Sequence, residues 1–133
     1  MSSKPRDGDA GRARIVVVLA LAMAQWPALA ADDAYCTSAS GRYRVSYTSE
    51  LEPLAINRIH SWVLHVESVD GDPVTGAAIE IGGGMPEHDH GLATSPRATE
   101  ELGGGDYLIE GLRFHMPGRW EIVVDLRVGA NRD

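Results

Sequence analysis

Ten consecutive positions near the C-terminus alternate without a break: Trp120, Ile122, Val124, Leu126 and Val128 fall on one side, and Arg119, Glu121, Val123, Asp125 and Arg127 on the other. A repeat of two is the signature of an extended chain with one face buried, and a helix with its 3.6-residue turn cannot imitate it over ten positions. A strand needs partners, because its backbone N–H and C=O groups must be paired and its apolar face covered. The rest of the chain supplies them. Gly41 to Ser49 sets Tyr43, Val45 and Tyr47 against Arg42, Arg44 and Ser46, and Ile59 to Val69 sets His60, Trp62, Leu64 and Val66 on one face with His65 and Glu67 on the other. Asp70-Gly71-Asp72-Pro73 reads as a turn, after which an extended stretch from Val74 to Ile81 is expected to end at the triple glycine Gly82-Gly83-Gly84. Tyr107 to Phe114 reads as a further strand whose phase changes at Gly111, the mark of a bulge.

Beyond residue 30, apolar residues nowhere recur at helical spacing for two turns. Five or more short strands in about 100 residues predict an all-β fold, an antiparallel β-sandwich, with a small open barrel as the alternative. A single cysteine among 133 residues excludes an intrachain disulfide framework, so stability has to come from a packed core. The hydrophobic content of 44% is too high for a disordered chain.

The N-terminus has a different character. Lys4, Arg6, Arg12 and Arg14 precede an apolar run from Ile15 to Ala24, followed by Pro27-Ala28-Leu29-Ala30-Ala31-Asp32. This is the basic, apolar and small-residue order of a secretory signal peptide, and cleavage is expected after Ala30. The apolar run is half the roughly 20 residues that span a bilayer as a helix, and Gln25 and Pro27 interrupt its continuation. An uncleaved anchor helix is the alternative. Cys36 follows Asp-Asp-Ala-Tyr rather than a lipobox, and no Arg-Arg pair is present, so the general secretory route is expected. The chain is therefore read as a leader over 1–30, a flexible segment over 31–40 and a folded domain over 41–129, periplasmic or secreted, without a lasting membrane span.

Of the 12 basic and 19 acidic residues, four and two precede residue 31, which leaves eight against seventeen and a charge of −9 on the exported part. That part contains no lysine and no basic stretch, which excludes a nucleic-acid binder. No serine lies in a Gly-x-Ser-x-Gly elbow, and Gly82 to Gly84 precede neither a helix nor a lysine, so neither a hydrolase nor a phosphate loop is indicated and the chain is not read as an enzyme.

The chemistry concentrates in two places. Met85-Pro86-Glu87-His88-Asp89-His90 puts one thioether, two imidazoles and two carboxylates in six positions, and Phe114-His115-Met116-Pro117-Gly118 adds another Met and His before a proline. If the first loop is extended, His88 and His90 lie on one side with Cα atoms roughly 6.5–7 Å apart, within reach of one ion. Met85, preceding a proline, is held extended. A thioether with imidazoles suits copper(I), imidazoles alone satisfy copper(II), and zinc has no use for methionine. The bland readings stand beside this one. Met116 continues the Leu112 and Phe114 face and can plug the core, while His115 points the other way in that register, so the two adjacent residues are not expected at one ion. His88 and His90 can belong to a solvated loop, His60 to the core, and His65 to the plain surface. Cys36 has no basic neighbour and is read as incidental.

From about Gly41 to Val128 the chain resembles the YtkA-like family of small exported domains, which is related to the FixH-like group. The residues that carry the likeness are His60-Ser61-Trp62, the run Gly83-Gly84-Met85-Pro86-Glu87-His88-Asp89-His90-Gly91-Leu92 with Pro96 after it, and Gly105 through Met116-Pro117-Gly118-Arg119-Trp120. The resemblance implies an immunoglobulin-like β-sandwich outside the cytoplasmic membrane and an association with copper handling or cytochrome oxidase assembly. FixH-like proteins keep an N-terminal membrane anchor, where this chain carries a cleavable-looking leader. Two functional classes follow. One is a copper-binding accessory domain with Met85, His88 and His90 as principal ligands and Met116, His115 or His60 completing the set. The other is a metal-free interaction module, in which the same loop shapes a surface for a periplasmic or membrane protein partner.

Overall fold

The computed structural model describes residues 12–21 and 35–129. Nine strands run through it: β1 Arg12–Leu21, β2 Cys36–Thr37, β3 Tyr43–Ser49, β4 His60–Ser68, β5 Ala78–Met85, β6 His90–Gly91, β7 Arg97–Gly103, β8 Asp106–Leu112 and β9 Gly118–Arg127. One 3-10 turn, η1 over Pro86–His88, joins β5 to β6, and the described residues contain no α-helix. The predicted alternations are the strands observed. In β9 the inward residues Trp120, Ile122, Val124 and Leu126 are all buried, as are His60, Trp62, Leu64 and Val66 in β4.

Every pairing is antiparallel, in the order β1-β9-β5-β7-β8-β4-β3-β2, with β6 paired to β5 off that path. The path folds into two layers because β5 and β7 meet in register only at Glu80↔Arg97. One layer is β1, β9, β5 and β6, and the other is β7, β8, β4, β3 and β2. At the far side the layers come together again, where the Arg14 carbonyl of β1 accepts the Ala39 N–H at 3.0 Å from the turn after β2. The result is an antiparallel sandwich nearly closed into a barrel, combining the two architectures that the strand pattern allows. Between the layers, Phe114 separates the two large indoles, its ring centroid 6.2 Å from that of Trp62 and 5.3 Å from that of Trp120. The Tyr107 hydroxyl donates to the Val74 carbonyl at 2.8 Å and accepts the Ala77 N–H at 3.1 Å, pinning the entry to β5, and burial pushes its pKa up.

The bulge expected at Gly111 is present. His60 pairs with Leu112 and Trp62 with Ile109, so β8 carries one residue more than β4 over that span, and Gly111 takes a φ of +87°. Three features differ from the sequence reading. The triple glycine does not end β5, which continues through it to Met85. β7 was not expected, because Arg-Ala-Thr-Glu-Glu-Leu-Gly has almost no inward apolar set: only Ala98 packs on the core, and the ladder to β8 is broken twice by register shifts. Within the segment read as flexible, Cys36 and Thr37 pair with Val45 and Arg44, and burial raises the pKa of the Cys36 thiol.

The apolar run read as part of a leader is, over Arg12–Leu21, strand β1. It lies along β9 in register from Arg12↔Arg127 to Leu21↔Gly118. Ala13, Ile15, Val17 and Leu19 are buried, while Arg14, Val16 and Val18 face solvent, a pattern suited to its β-branched composition. The cleavage position after Ala30 lies outside the described residues. No helix among the described residues is long and apolar enough to cross a membrane.

Trp120 is fully buried against Phe114, so Trp120→Ala is expected to cost about 3–5 kcal/mol in denaturant unfolding. Arg119→Ala, one position away on the solvent face, should stay within about 0.5 kcal/mol.

Candidate functional site

The histidine loop is placed by backbone contact before any side chain acts. β5 lies between β9 on one side and β6 on the other as it passes through its glycines, with Gly83 opposite Ile122 and Gly84 opposite both Glu121 and Gly91. A Cβ on Gly83 would collide with the Glu121 carbonyl oxygen, and Gly83 also holds a φ of +139°, which L side chains rarely adopt. A Cβ on Gly84 would collide with the His90 carbonyl oxygen. Glycine here therefore signals close approach of three backbones rather than the end of a strand.

Met85 follows, extended as its proline neighbour requires, with φ −112° and ψ 100°. The chain then makes the η1 turn, and Asp89 ends it in the left-handed conformation at φ 51°, reversing direction so that His90 pairs back onto Met85. The loop is thus a tight turn and not the extended segment expected, yet the two imidazoles still converge. The His88 and His90 rings lie 5.9 Å apart and nearly parallel, at 21°.

The second cluster joins them from β8 to β9. Residues 113–117 are outside any strand, so the alternation that would separate His115 from Met116 does not apply. Both adjacent residues turn toward His90. Its Nε2 is 3.2 Å from the Met116 Sδ, and the His115 ring is 4.9 Å from the His90 ring. Trp120 floors the group, with ring centroids 5.9 Å from His90 and 5.2 Å from His115, and its indole N–H donates to the Met116 carbonyl at 3.0 Å.

Not every expected ligand belongs here. Met85 is buried, its terminal methyl against Gly118, where an added Cβ would come within 2.5 Å of it. It supports the loop from beneath, and Met116 is the thioether in contact with an imidazole. His60 is buried between Trp62 and Phe114, with Nδ1 3.0 Å from the Arg58 carbonyl, as the core reading has it. His65 is at the surface with Nδ1 2.6 Å from Asp106, beside Glu67 and away from the cluster. Gly83, Gly84, Gly118 and Trp120 position the site, a role that the strand and family patterns naming them in the sequence do not assign to them. The triple glycine inside an otherwise extended stretch was the available signal for the first two.

The chemistry of the donors can be tested against a soft cation. The Met116 sulfur can only accept, so the 3.2 Å contact is made by an Nε2–H of His90; moving that proton to Nδ1, 3.3 Å from the Gly91 carbonyl, would free the Nε2 lone pair for an ion. For metal bonds of the lengths zinc makes, about 2.0 Å to nitrogen and 2.3 Å to sulfur, a nitrogen and a sulfur sit about 3.5 Å apart at a tetrahedral angle and about 3.7–4.3 Å apart at the wider angles of three- and two-coordinate ions. The His90 and Met116 donors, 3.2 Å apart, stand closer than this, so an ion between them requires the flexible Met116 side chain to draw back by roughly 0.3–1 Å. The Nδ1 of His115 is buried without a hydrogen-bond partner, an acceptor or donor left over in the same group. Among the described residues no three His, Cys, Asp or Glu side chains are arranged to hold a metal, so a hard, four-ligand site is not formed. In donor type alone, imidazole with thioether, the group suits a soft ion.

A glycine series tests the backbone account. Gly82 has open space at its Cβ position and no positive φ, so Gly82→Ala should be neutral within about 0.5 kcal/mol. Gly83→Ala and Gly84→Ala should each cost about 1–3 kcal/mol by denaturant titration, and Gly84→Ala should also shift the His90 ring resonances in NMR spectra.

No curated protein and no solved structure matches the chain. The YtkA-like family matches residues 37–125, two thirds of the sequence, from β2 into β9 and across both clusters. With that coverage, and with an antiparallel all-β fold beneath it, the chain belongs to the YtkA-like family.

Proposed function

We propose that the chain is an exported accessory domain that binds copper, taking up copper(I) between His90 and Met116 with His88 and His115 flanking. The observation that carries the reading is the 3.2 Å approach of an imidazole nitrogen to a thioether sulfur from segments 26 residues apart. Copper(I) is content with two or three soft or borderline donors, whereas zinc asks for four and has little affinity for a thioether. When bound, the ion would be held by a group whose outer member, His88, is exposed, which suits a carrier that passes its cargo on. Glu87 and Asp89 on the same turn, both exposed, favour the approach of a cation. Export rests on the order of basic, apolar and small residues before Asp32. A YtkA-like domain acting as an accessory in this way needs no catalytic group of its own.

Two measurements test the reading. The purified chain is titrated with copper(I) under a competing chelator and with copper(II). His88→Ala combined with His90→Ala is expected to abolish stoichiometric binding of both. Met116→Leu should weaken copper(I) by at least about tenfold and leave copper(II) nearly unchanged, since the thioether matters mainly to the soft ion. Met85→Leu, a core substitution, should lower stability by less than about 1.5 kcal/mol and leave copper(I) affinity in place. Because a coordinating imidazole must be neutral, affinity is expected to fall on acidification. Copper retention unchanged in the double histidine variant would favour the metal-free interaction module instead. Export is checked by the mass of the chain recovered from a periplasmic extract, with a start at Ala31 or within two residues of it expected.

A further inference from the structure

Strand β1 fills a slot rather than lying on an open edge. On one side it pairs with β9 over its whole length, and on the other the Arg14 carbonyl accepts the Ala39 N–H. Ala13, Ile15, Val17 and Leu19 enter the core, none more than 7% exposed, while Val16 and Val18 are 44% and 50% exposed. The strand that closes the sandwich is therefore drawn from the segment that export would remove. Its departure would leave four apolar sockets between the layers and a row of unpaired N–H and C=O groups along β9, and both are unfavourable in water.

We propose that, once residues 1–30 are cut away, this slot is a strand-acceptor site for an extended segment of a partner protein, running antiparallel to β9 with aliphatic side chains at four alternate positions. The inference rests on the reading of the N-terminus as a cleaved leader. The chemistry of the occupant follows from β1, whose inward series is one small residue and three larger aliphatic ones. The outward positions Arg14, Val16 and Val18 are exposed and place no apolar demand on the occupant, with a basic residue favoured beside Asp125, where Arg14 now stands 3.8 Å away. A second copy fits less well. Its own β9 could reach the edge, but Trp120, Ile122, Val124 and Leu126 are already committed to their own core and could not fill the sockets.

The test uses the full chain with a protease site in place of residues 24–29, purified folded and then cut. The fragment carrying β1 should remain bound until an excess of a fluorescent peptide with the sequence of residues 12–21 displaces it at one peptide per chain. Ile15→Asp with Val17→Asp in the peptide should lower affinity at least about tenfold, because two carboxylates would enter the core. Val16→Ser with Val18→Ser on the outer face should change it less than about threefold. If loss of the fragment makes the cut chain aggregate, rescue by the parent peptide but not by its inward variant supports the site. The proposal is overturned if no peptide is taken up, if inward and outward variants bind alike, if aggregation is not rescued, or if the cut chain pairs with a second copy and excludes the peptide. A periplasmic chain that keeps residues 1–30 would overturn the export reading and with it the opening of the slot in the cell. The exchange result distinguishes that failure from failure of the slot itself.

Discussion

The indole of Trp120 belongs to the core and to the candidate site at once, and the site depends on that double membership. It has no exposed surface, it packs against Phe114, and its N–H is spent on the Met116 carbonyl. Residues 113–117 lack strand pairing of their own, so this bond and that from Asn57 N–H to the Phe114 carbonyl, at 2.8 Å, tie the segment to the domain. A buried donor cannot easily give up its acceptor, since leaving it unpaired costs about 1–3 kcal/mol. The backbone of Met116 is consequently held where the core holds Trp120. The ring contacts with His90 and His115, at 5.9 and 5.2 Å, lie on the same indole.

The other half of the cluster reaches the same place by omission of side chains. Gly83 and Gly84 let β9, β5 and β6 approach until their backbones touch, and Gly118 leaves room for the Met85 methyl. Only then does the η1 turn bring His90 back over Trp120. Two segments 26 residues apart thus meet because one is anchored by a hydrogen bond and the other by the absence of Cβ atoms.

This division explains what could be read in advance. Alternation announced β3, β4, β8 and β9, since each has an inward apolar face, and the phase change at Gly111 announced the bulge. β7 was silent because its inward face holds little beyond Ala98, and a strand recognised by its partner rather than by its pattern leaves no periodic trace. At the site, residue types and neighbourhoods were legible: Met85, His88, His90, His115 and Met116 all lie at one end of the domain. Which methionine faces an imidazole was not. That choice turns on the αL residue Asp89 and on the irregular backbone at 113–117, and neither follows from spacing along the chain. The assumption that His115 and Met116 must diverge applied strand geometry to residues that are not a strand.

β9 also joins the two ends of the molecule's chemistry. Its edge toward β5 sets the histidine loop, and its opposite edge carries β1 with Leu19 opposite Trp120 and Leu21 opposite Gly118. Whatever strand occupies that opposite edge therefore ends beside the two residues that position Met116 and Met85. Trp120 has no exposed surface and pairs in register with Leu19, so a change of occupant on that edge falls directly beside the indole that holds residues 113–117. Coupling of this kind is reciprocal: if the occupant of the slot alters how firmly Met116 faces His90, then an ion held between those two alters the hold on the strand by the same factor.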